Sequence, residues 1–281
     1  MKYMVNIQKR IKLLKRSPSY IKAYEDLEFL KSVKLRPARL QLELLKPDLV
    51  LQANHIHSTI VVFGSARISS PERTRSAVRI LEKKLKASPR SRGIQQHLAI
   101  ARRVQLKSKY YEEARRFARI VSMQSGHQGS QRYLMVTGGG PGIMEAANRG
   151  AYEVKARSIG FNITLPHEQN PNPYISPEFC FLFHYFAIRK MHLLMRAKAL
   201  VFFPGGYGTM DELFEVLTLV QTGKKEQFPI ILFGREFWER VINFDSLVEE
   251  GVISPGDTNI FKFVEKAEEA WKIISDFYKK N

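Results

Sequence analysis

The sequence predicts an α/β fold: a parallel sheet with helices on both faces, preceded by a helical extension over residues 1–57. Three observations carry this expectation. From Thr59 onward, short β-branched and aromatic runs alternate with amphipathic helical patterns. Two of those runs end in glycine-rich turns, at 138–142 and 205–208, that open directly into helices. The first 57 residues show no strand pattern. Strands alternating with helices imply right-handed crossovers, and hence a parallel sheet covered on both sides.

The elements follow in order. Residues 1–57 read as short amphipathic helices broken at Pro18, Pro37 and Pro47. The run 59–63 is a strand that ends in the small-residue turn Gly64-Ser65-Ala66-Arg67. Residues 76–123 are helical and basic, with the cluster 88–93 as the loop between two helices. A strand at 132–137 leads through Gly138, Gly139, Gly140, Pro141 and Gly142 into a helix at 143–153. Strands at 158–165 and 179–183 follow, separated by the loop 166–173, and then a helix at 187–197. A strand at 199–203 runs into the second glycine turn and a helix at 209–221. The remaining pattern is strand 229–233, helix 235–247, strand 260–264 and helix 267–278. The expected organisation is an extension, 1–57, and one α/β domain, 58–281.

Charge and composition bound the function classes. The chain carries 45 Lys and Arg against 27 Asp and Glu, a net charge of +18. Residues 1–57 hold 12 basic against 5 acidic side chains and residues 71–119 hold 15 against 4, whereas 120–281 are nearly neutral. The excess therefore lies away from the glycine turns. It reads as solvated helical surface rather than a nucleic-acid interface, because aromatics for base stacking are sparse there beyond Tyr110, Tyr111 and Phe117. No apolar run approaches the roughly eighteen residues of a membrane span, and the basic N-terminus has no signal-like apolar stretch. The single cysteine, Cys180, sits in an apolar run and reads as a core filler. A cytoplasmic location, with no membrane association, is expected. His167, His184 and His192 lack metal-ligand spacing, so no metal is expected.

A glycine turn between a strand and a helix aims backbone N–H groups at a ligand, at the end where the helix dipole favours an anion. Two such turns at strand C-termini point to one shared crevice. Neither is a P-loop, and neither is a clean dinucleotide fingerprint, so the turns alone indicate a phosphate-bearing small molecule. Asp211 and Glu212 lie in the first turn of the second helix, where the dipole alone would account for carboxylates; Glu212 could equally reach into the crevice. Arg189 and Lys190 lie in the first turn of the preceding helix, where cations are unfavourable without an anionic partner. A ligand phosphate or Glu212 would serve, and so would simple solvation.

The stretch Pro204-Gly205-Gly206-Tyr207-Gly208-Thr209-x-x-Glu212, with residues 138–151 upstream and Arg189-Lys190 between, closely resembles the LOG family of cytokinin riboside 5′-monophosphate phosphoribohydrolases. The likeness covers about residues 60–222. It implies a Rossmann-like fold, no cofactor, and hydrolysis of nucleoside 5′-monophosphates to free base and ribose 5-phosphate. It further implies Arg189 and Glu212 as the catalytic pair, the backbone of Gly205, Gly206, Tyr207, Gly208 and Thr209 around the 5′-phosphate, and Thr218 beside the base or ribose. Gly64, Ser65, Gly139, Gly140, Gly142, Lys190 and Asp211 complete the expected substrate-binding set. Plant-type members carry Met-His-x-Arg-Lys where this chain has Phe186-Ala187-Ile188-Arg189-Lys190, a departure that bears on base specificity. The extension and the basic segment resemble longer bacterial members, whose substrates would include ordinary nucleotides.

The resemblance also implies a homodimer or larger assembly. Leu213, Val216, Leu217 and Val220 have helical spacing suited to an interface, or equally to packing on their own sheet. The rival from another class is a carrier that binds a nucleotide or nucleotide-like cofactor without chemistry. A third reading, a DNA-processing protein using the basic segment, is disfavoured by the sparse aromatics. No lysine sits in a pyridoxal-phosphate context, which argues against a decarboxylase.

Overall fold

The computed structural model describes residues 7–124, 133–166 and 170–280. Seven strands form one sheet: β1 (Thr59–Phe63), β2 (Leu134–Thr137), β3 (Ser158–Ile163), β4 (Cys180–Phe183), β5 (Ala197–Phe202), β6 (Ile230–Phe233) and β7 (Lys262–Val264). Their order is β4-β3-β2-β1-β5-β6-β7, and every neighbouring pair is parallel. The fold is the expected Rossmann-like one, with N-terminal helices.

Side-chain alternation divides the core in two. On β1, Val61 and Phe63 point to one face while Ile60 and Val62 point to the other; β5 repeats this with Leu200 and Phe202 against Ala199 and Val201. The first face is covered by α3 (Arg36–Ala53), α8 (Phe186–Met195), α9 (Tyr207–Gln221) and α10 (Arg235–Val241), through Leu51, Leu193, Leu213, Val216 and Trp238. The second is covered by α6 (Lys109–Gln124), α7 (Ile143–Glu153) and α12 (Ala267–Lys280), through Phe117, Ala146, Ala147 and Ile274. Both faces of a parallel sheet are thereby buried, which is why the central strands are near-continuous apolar runs. Leu213 and Val216 are fully buried on their own sheet, with Leu217 and Val220 packed partly against it. Their spacing therefore carries no evidence of an interface.

Four expectations are corrected. The basic segment holds three helices rather than two: α4 (Pro71–Ala87), α5 (Arg92–Leu106) and α6. The loop expected at 88–93 is shorter, 88–91: Ser91 caps α5, and Arg92 and Gly93 belong to that helix. The second break, at Lys107 and Ser108, contains no glycine or proline to announce it. Pro47 does not interrupt a helix but lies buried inside α3, which Pro37 opens near its first turn. A helix expected at 235–247 is split into α10 and α11 (Phe244–Glu249), because Ile242 is extended and the Asn243 side chain caps Ser246 N–H at 3.1 Å. Cys180 is exposed rather than a core filler: β4 is an edge strand, and alternation turns Cys180 and Leu182 outward. Two short helices, α1 (Ile7–Lys15) and α2 (Leu27–Lys31), precede α3.

Candidate active site

The chain order reverses at β1, whose neighbours are β2 and β5. Loops leaving two adjacent strands in opposite directions open a crevice at their C-terminal ends. Here the crevice is a cavity of about 800 Å³. Its walls come from the loop after β1 (Gly64, Ser65, Ala66, Arg67), from Gly138 after β2, and from Arg189 on α8. The run from Pro204 to Glu212 completes the wall. Backbone bonds lock the loops together: Ser65 N–H donates to Pro204 at 3.1 Å and Ile143 N–H to Ser65 at 3.1 Å.

The second glycine turn builds the N-terminus of α9. Gly206 is the N-cap, and its carbonyl accepts from Thr209 and Met210 N–H. The earlier amides of such a helix have no intrahelical acceptor and face the cavity with the positive end of the dipole. Gly205 is required by close approach, since a Cβ there would meet Thr209 Oγ1 at 2.0 Å. Tyr207 is almost wholly exposed at the rim.

One turn further, the side chain of Glu212 is buried, 7% exposed, and its Oε2 has no hydrogen-bond partner. Burial pushes its carboxyl up to about 7, against the pull of Lys190 and Arg189. The guanidinium of Arg189 is half-buried and donates from Nε to the Phe161 carbonyl at 2.8 Å. Burial lowers its pKa while Glu212 opposes that shift. It lies directly over Gly138, where a Cβ would come within 2.3 Å of Nη2. Lys190, by contrast, is held by Asp211 at 2.9 Å and Glu215 at 2.8 Å. Burial disfavours its ammonium, but Glu215 and Asp211 raise its pKa overall. The two cations that follow one another in sequence therefore differ. Lys190 is neutralised within the chain, and Arg189 is left for the cavity.

Other expected residues lie elsewhere. Gly139, Gly140, Gly142, Lys190 and Thr218 do not line the cavity. Gly139 packs on Asn162, and Gly142, with φ of 72°, packs on the backbone of Ser65 and Ala66. Thr218 is exposed on α9, its hydroxyl bonded back to Phe214. The upstream motif has a structural employment as well. Buried Asn148 accepts from Thr137 Oγ1 (2.6 Å) and Asn172 Nδ2 (3.0 Å) and donates to Ser158 (3.0 Å), while Asn172 also donates to the Gly139 and Gly140 carbonyls. Glu145 is buried against Arg73 at 3.0 Å and Tyr111 at 2.9 Å, which ties α4 and α6 to α7. His184 is exposed, His192 is buried between Phe161 and Phe183, and His167 lies outside the described residues. Among the described residues there is no metal-binding group of three or more His, Cys, Asp or Glu side chains, and no helix long and apolar enough to cross a membrane.

Sequence reasoning missed the far wall of the cavity. It is built by Ile68, by Val104 and Lys107 at the end of α5, and by Phe237 and Val241 on α10, with Lys107 Nζ 5.1 Å from the Phe237 ring. No signal marks these positions in sequence, because even the nearer glycine turn lies about thirty residues from Val104, Lys107, Phe237 and Val241 and about seventy from Ile68.

Comparison with known proteins bears on the same region. Residues 144–274 match the family model described as "possible lysine decarboxylase". The chain is 36% identical over 91 residues to the cytokinin riboside 5′-monophosphate phosphoribohydrolase LOG1 of Arabidopsis thaliana, a match covering 32% of this chain and 42% of that protein. Its likeness to LOG3 of the same plant is 33% over 90 residues, with the same coverage. For the probable phosphoribohydrolase LOGL3 of Oryza sativa subsp. japonica it is 32% over 90 residues, covering 32% of this chain and 43% of that protein. The chain thus spans about two fifths of the length of these curated relatives. Among solved structures, it is similar to TM1055, a structural-genomics target (21% identity, TM-score 0.46, covering 78% of this chain and 99% of that one). It is also similar to the molybdenum cofactor binding protein of Rippkaea orientalis (18% identity, TM-score 0.41, covering 60% and 88%). The family resemblance read from the glycine motifs is shown by the first two kinds of comparison.

Proposed function

We propose that this chain hydrolyses the N-glycosidic bond of nucleoside 5′-monophosphates, releasing a free base and ribose 5-phosphate, with Arg189 and Glu212 as its catalytic pair. One observation carries the reading: a buried carboxylate with a free oxygen shares a cavity with a helix N-terminus suited to a phosphate. The 5′-phosphate sits on the backbone of Gly205–Thr209, with Gly64 and Ser65 beside it. The amides and the α9 dipole supply the recognition. No cofactor takes part.

Cleavage of the C1′–N bond leaves its electron pair on the base and positive charge on the sugar. Ionised Glu212 stabilises that charge, which develops only in the transition state, and orients the water that adds to C1′. The water supplies one proton, which ends on the base, and the hydroxyl that ends on C1′. Arg189 holds substrate and carboxylate in register. Asp211 and Lys190 support the site through their ion pair, and Thr218 lies too far along α9 to join it unless a second copy of the chain brings it near. Association into a homodimer belongs to the same proposal.

The test is incubation with a panel of nucleoside 5′-monophosphates, scoring free base and ribose 5-phosphate. Release of both in equal amounts supports the reading. Tight nucleotide binding without release returns the chain to the carrier reading.

A further inference from the structure

We propose that Glu43, on the N-terminal helix α3, is a positioning residue for Arg189, so that the extension is part of the apparatus of the site. This rests on the function proposed above, and its observations lie outside the cavity.

Arg189 is carried by α8, and α8 begins without a side-chain cap of its own: its N-cap residue is Tyr185, which has no capping oxygen. The cap comes from α3. Glu43 Oε1 accepts from His184 N–H at 2.8 Å and Oε2 accepts from Tyr185 N–H at 3.1 Å. A carboxylate that takes both amides brings its charge to the positive end of the α8 dipole. The first turn thus fixed is the turn that bears the catalytic candidate, since Arg189 N–H donates to the Tyr185 carbonyl at 3.1 Å. Beside this contact Arg39 Nε donates to Tyr185 Oη at 3.3 Å, while its Nη1 holds the carbonyls of Leu30 and Ser32 at 2.7 and 2.6 Å.

The grip continues along α8. Pro47 has no N–H, so the Glu43 carbonyl four residues earlier lacks its helical donor. Facing the carbonyls of Glu43 and Leu44 is the imidazole of His192, buried and short of any hydrogen bond of ordinary length, with burial lowering its pKa. At the far end, Arg196 pairs with Asp48 at 2.5 Å and donates to the Ile56 carbonyl at 3.0 Å. The helix carrying Arg189 is therefore held from α3 by Glu43 at its N-cap and by Asp48 just past its end. Of these contacts Glu43 alone takes the backbone amides at the turn of Arg189, with Arg39 beside it on the Tyr185 hydroxyl; Arg196 lies nearly two turns beyond.

The experiment is a double-mutant cycle of Glu43→Ala with Arg189→Ala in the full chain, and with Asp48→Asn as the structural control. Because a displacement of about 1 Å at a reacting group costs on the order of 100-fold, Glu43→Ala should lower kcat about 10- to 100-fold with KM changed less. Glu43→Gln keeps one acceptor oxygen and should recover part of that loss. In the Arg189→Ala background Glu43→Ala should cost nothing further. Asp48→Asn should lower the melting temperature while kcat stays within about twofold, a rough allowance for effects at separated sites. Unchanged kcat in Glu43→Ala, or additive losses in the double variant, would overturn the proposal. A second readout needs no turnover: the Glu212 carboxyl, followed by 13C NMR, should titrate at higher pH in Glu43→Ala and in Arg189→Ala alike, because both remove the guanidinium from its place beside it. If the wild type hydrolyses no nucleotide, the function proposed above fails. The titration then decides the positioning role alone.

Discussion

Replacing Glu212 with glutamine separates the two consequences of burying a carboxylate. The side chain is 7% exposed and titrates at about 7, against an ordinary 4.5. Because the folded state holds this proton more tightly than the unfolded chain, the contribution of Glu212 to stability is fully present below about pH 4.5 and is lost as pH rises through about 7. At about 1.4 kcal/mol per tenfold change in proton affinity, the full cost is up to about 3 kcal/mol above pH 7. Glu212→Gln removes the ionisation and keeps the shape. It should therefore be more stable than the wild type by roughly 1–3 kcal/mol at pH 8, the amide's own unmet hydrogen bonds reducing the gain, and equal to it near pH 4.5. Nucleotide hydrolysis should fall by about two to four orders of magnitude, equivalent to roughly 3–5 kcal/mol of transition-state stabilisation, with substrate affinity little changed. Urea denaturation of both proteins at the two pH values, with steady-state release of ribose 5-phosphate, measures both effects. A glutamine variant that turns over normally would remove the catalytic assignment. One that gains no stability at pH 8 would show that Glu212 is not desolvated as the fold places it.

Other outcomes follow from the same geometry. In the wild type, kcat/KM should rise with pH and level off above about 7 as Glu212 ionises; a pH–rate profile without that limb would contradict the ionised role. Asp211→Asn breaks one of two ion pairs to Lys190 at a half-exposed site and should cost under about 1 kcal/mol in a thermal melt, with turnover within about threefold by the same measure. Gly138→Ala places a methyl group 2.3 Å from Arg189 Nη2; turnover should drop about 100-fold while melting changes little, and normal kinetics would mean that Arg189 works from another position. Light scattering at micromolar concentration should report a dimer, with the exposed Leu42, Leu45 and Leu49 of α3 as one apolar stripe available to it. A monomer would refute that.

The sequence by itself determined the rhythm of strands and helices, the parallel sheet and the location of the crevice. Each of these rests on local physics: apolar runs that two covered faces demand, and glycines that only a close approach of backbone requires. The helix at 143–153 and the strand at 59–63 were legible to the residue for that reason. Glu212 and Arg189 stood out as a candidate pair through the motif, but their difference from Asp211 and Lys190 did not. Adjacent residues on one helical turn point in different directions, and only the packing of α8 against α9 gives Lys190 two carboxylates and leaves Arg189 over Gly138. The same holds for Pro47, which a sequence reads as a break and which the fold tolerates inside α3. The far cavity wall at Val104, Lys107 and Phe237, and the cap that Glu43 lends to α8 across 141 residues of chain, are long-range contacts. No local pattern encodes such contacts, because each partner is ordinary in its own segment and acquires its role only when the sheet brings the two together.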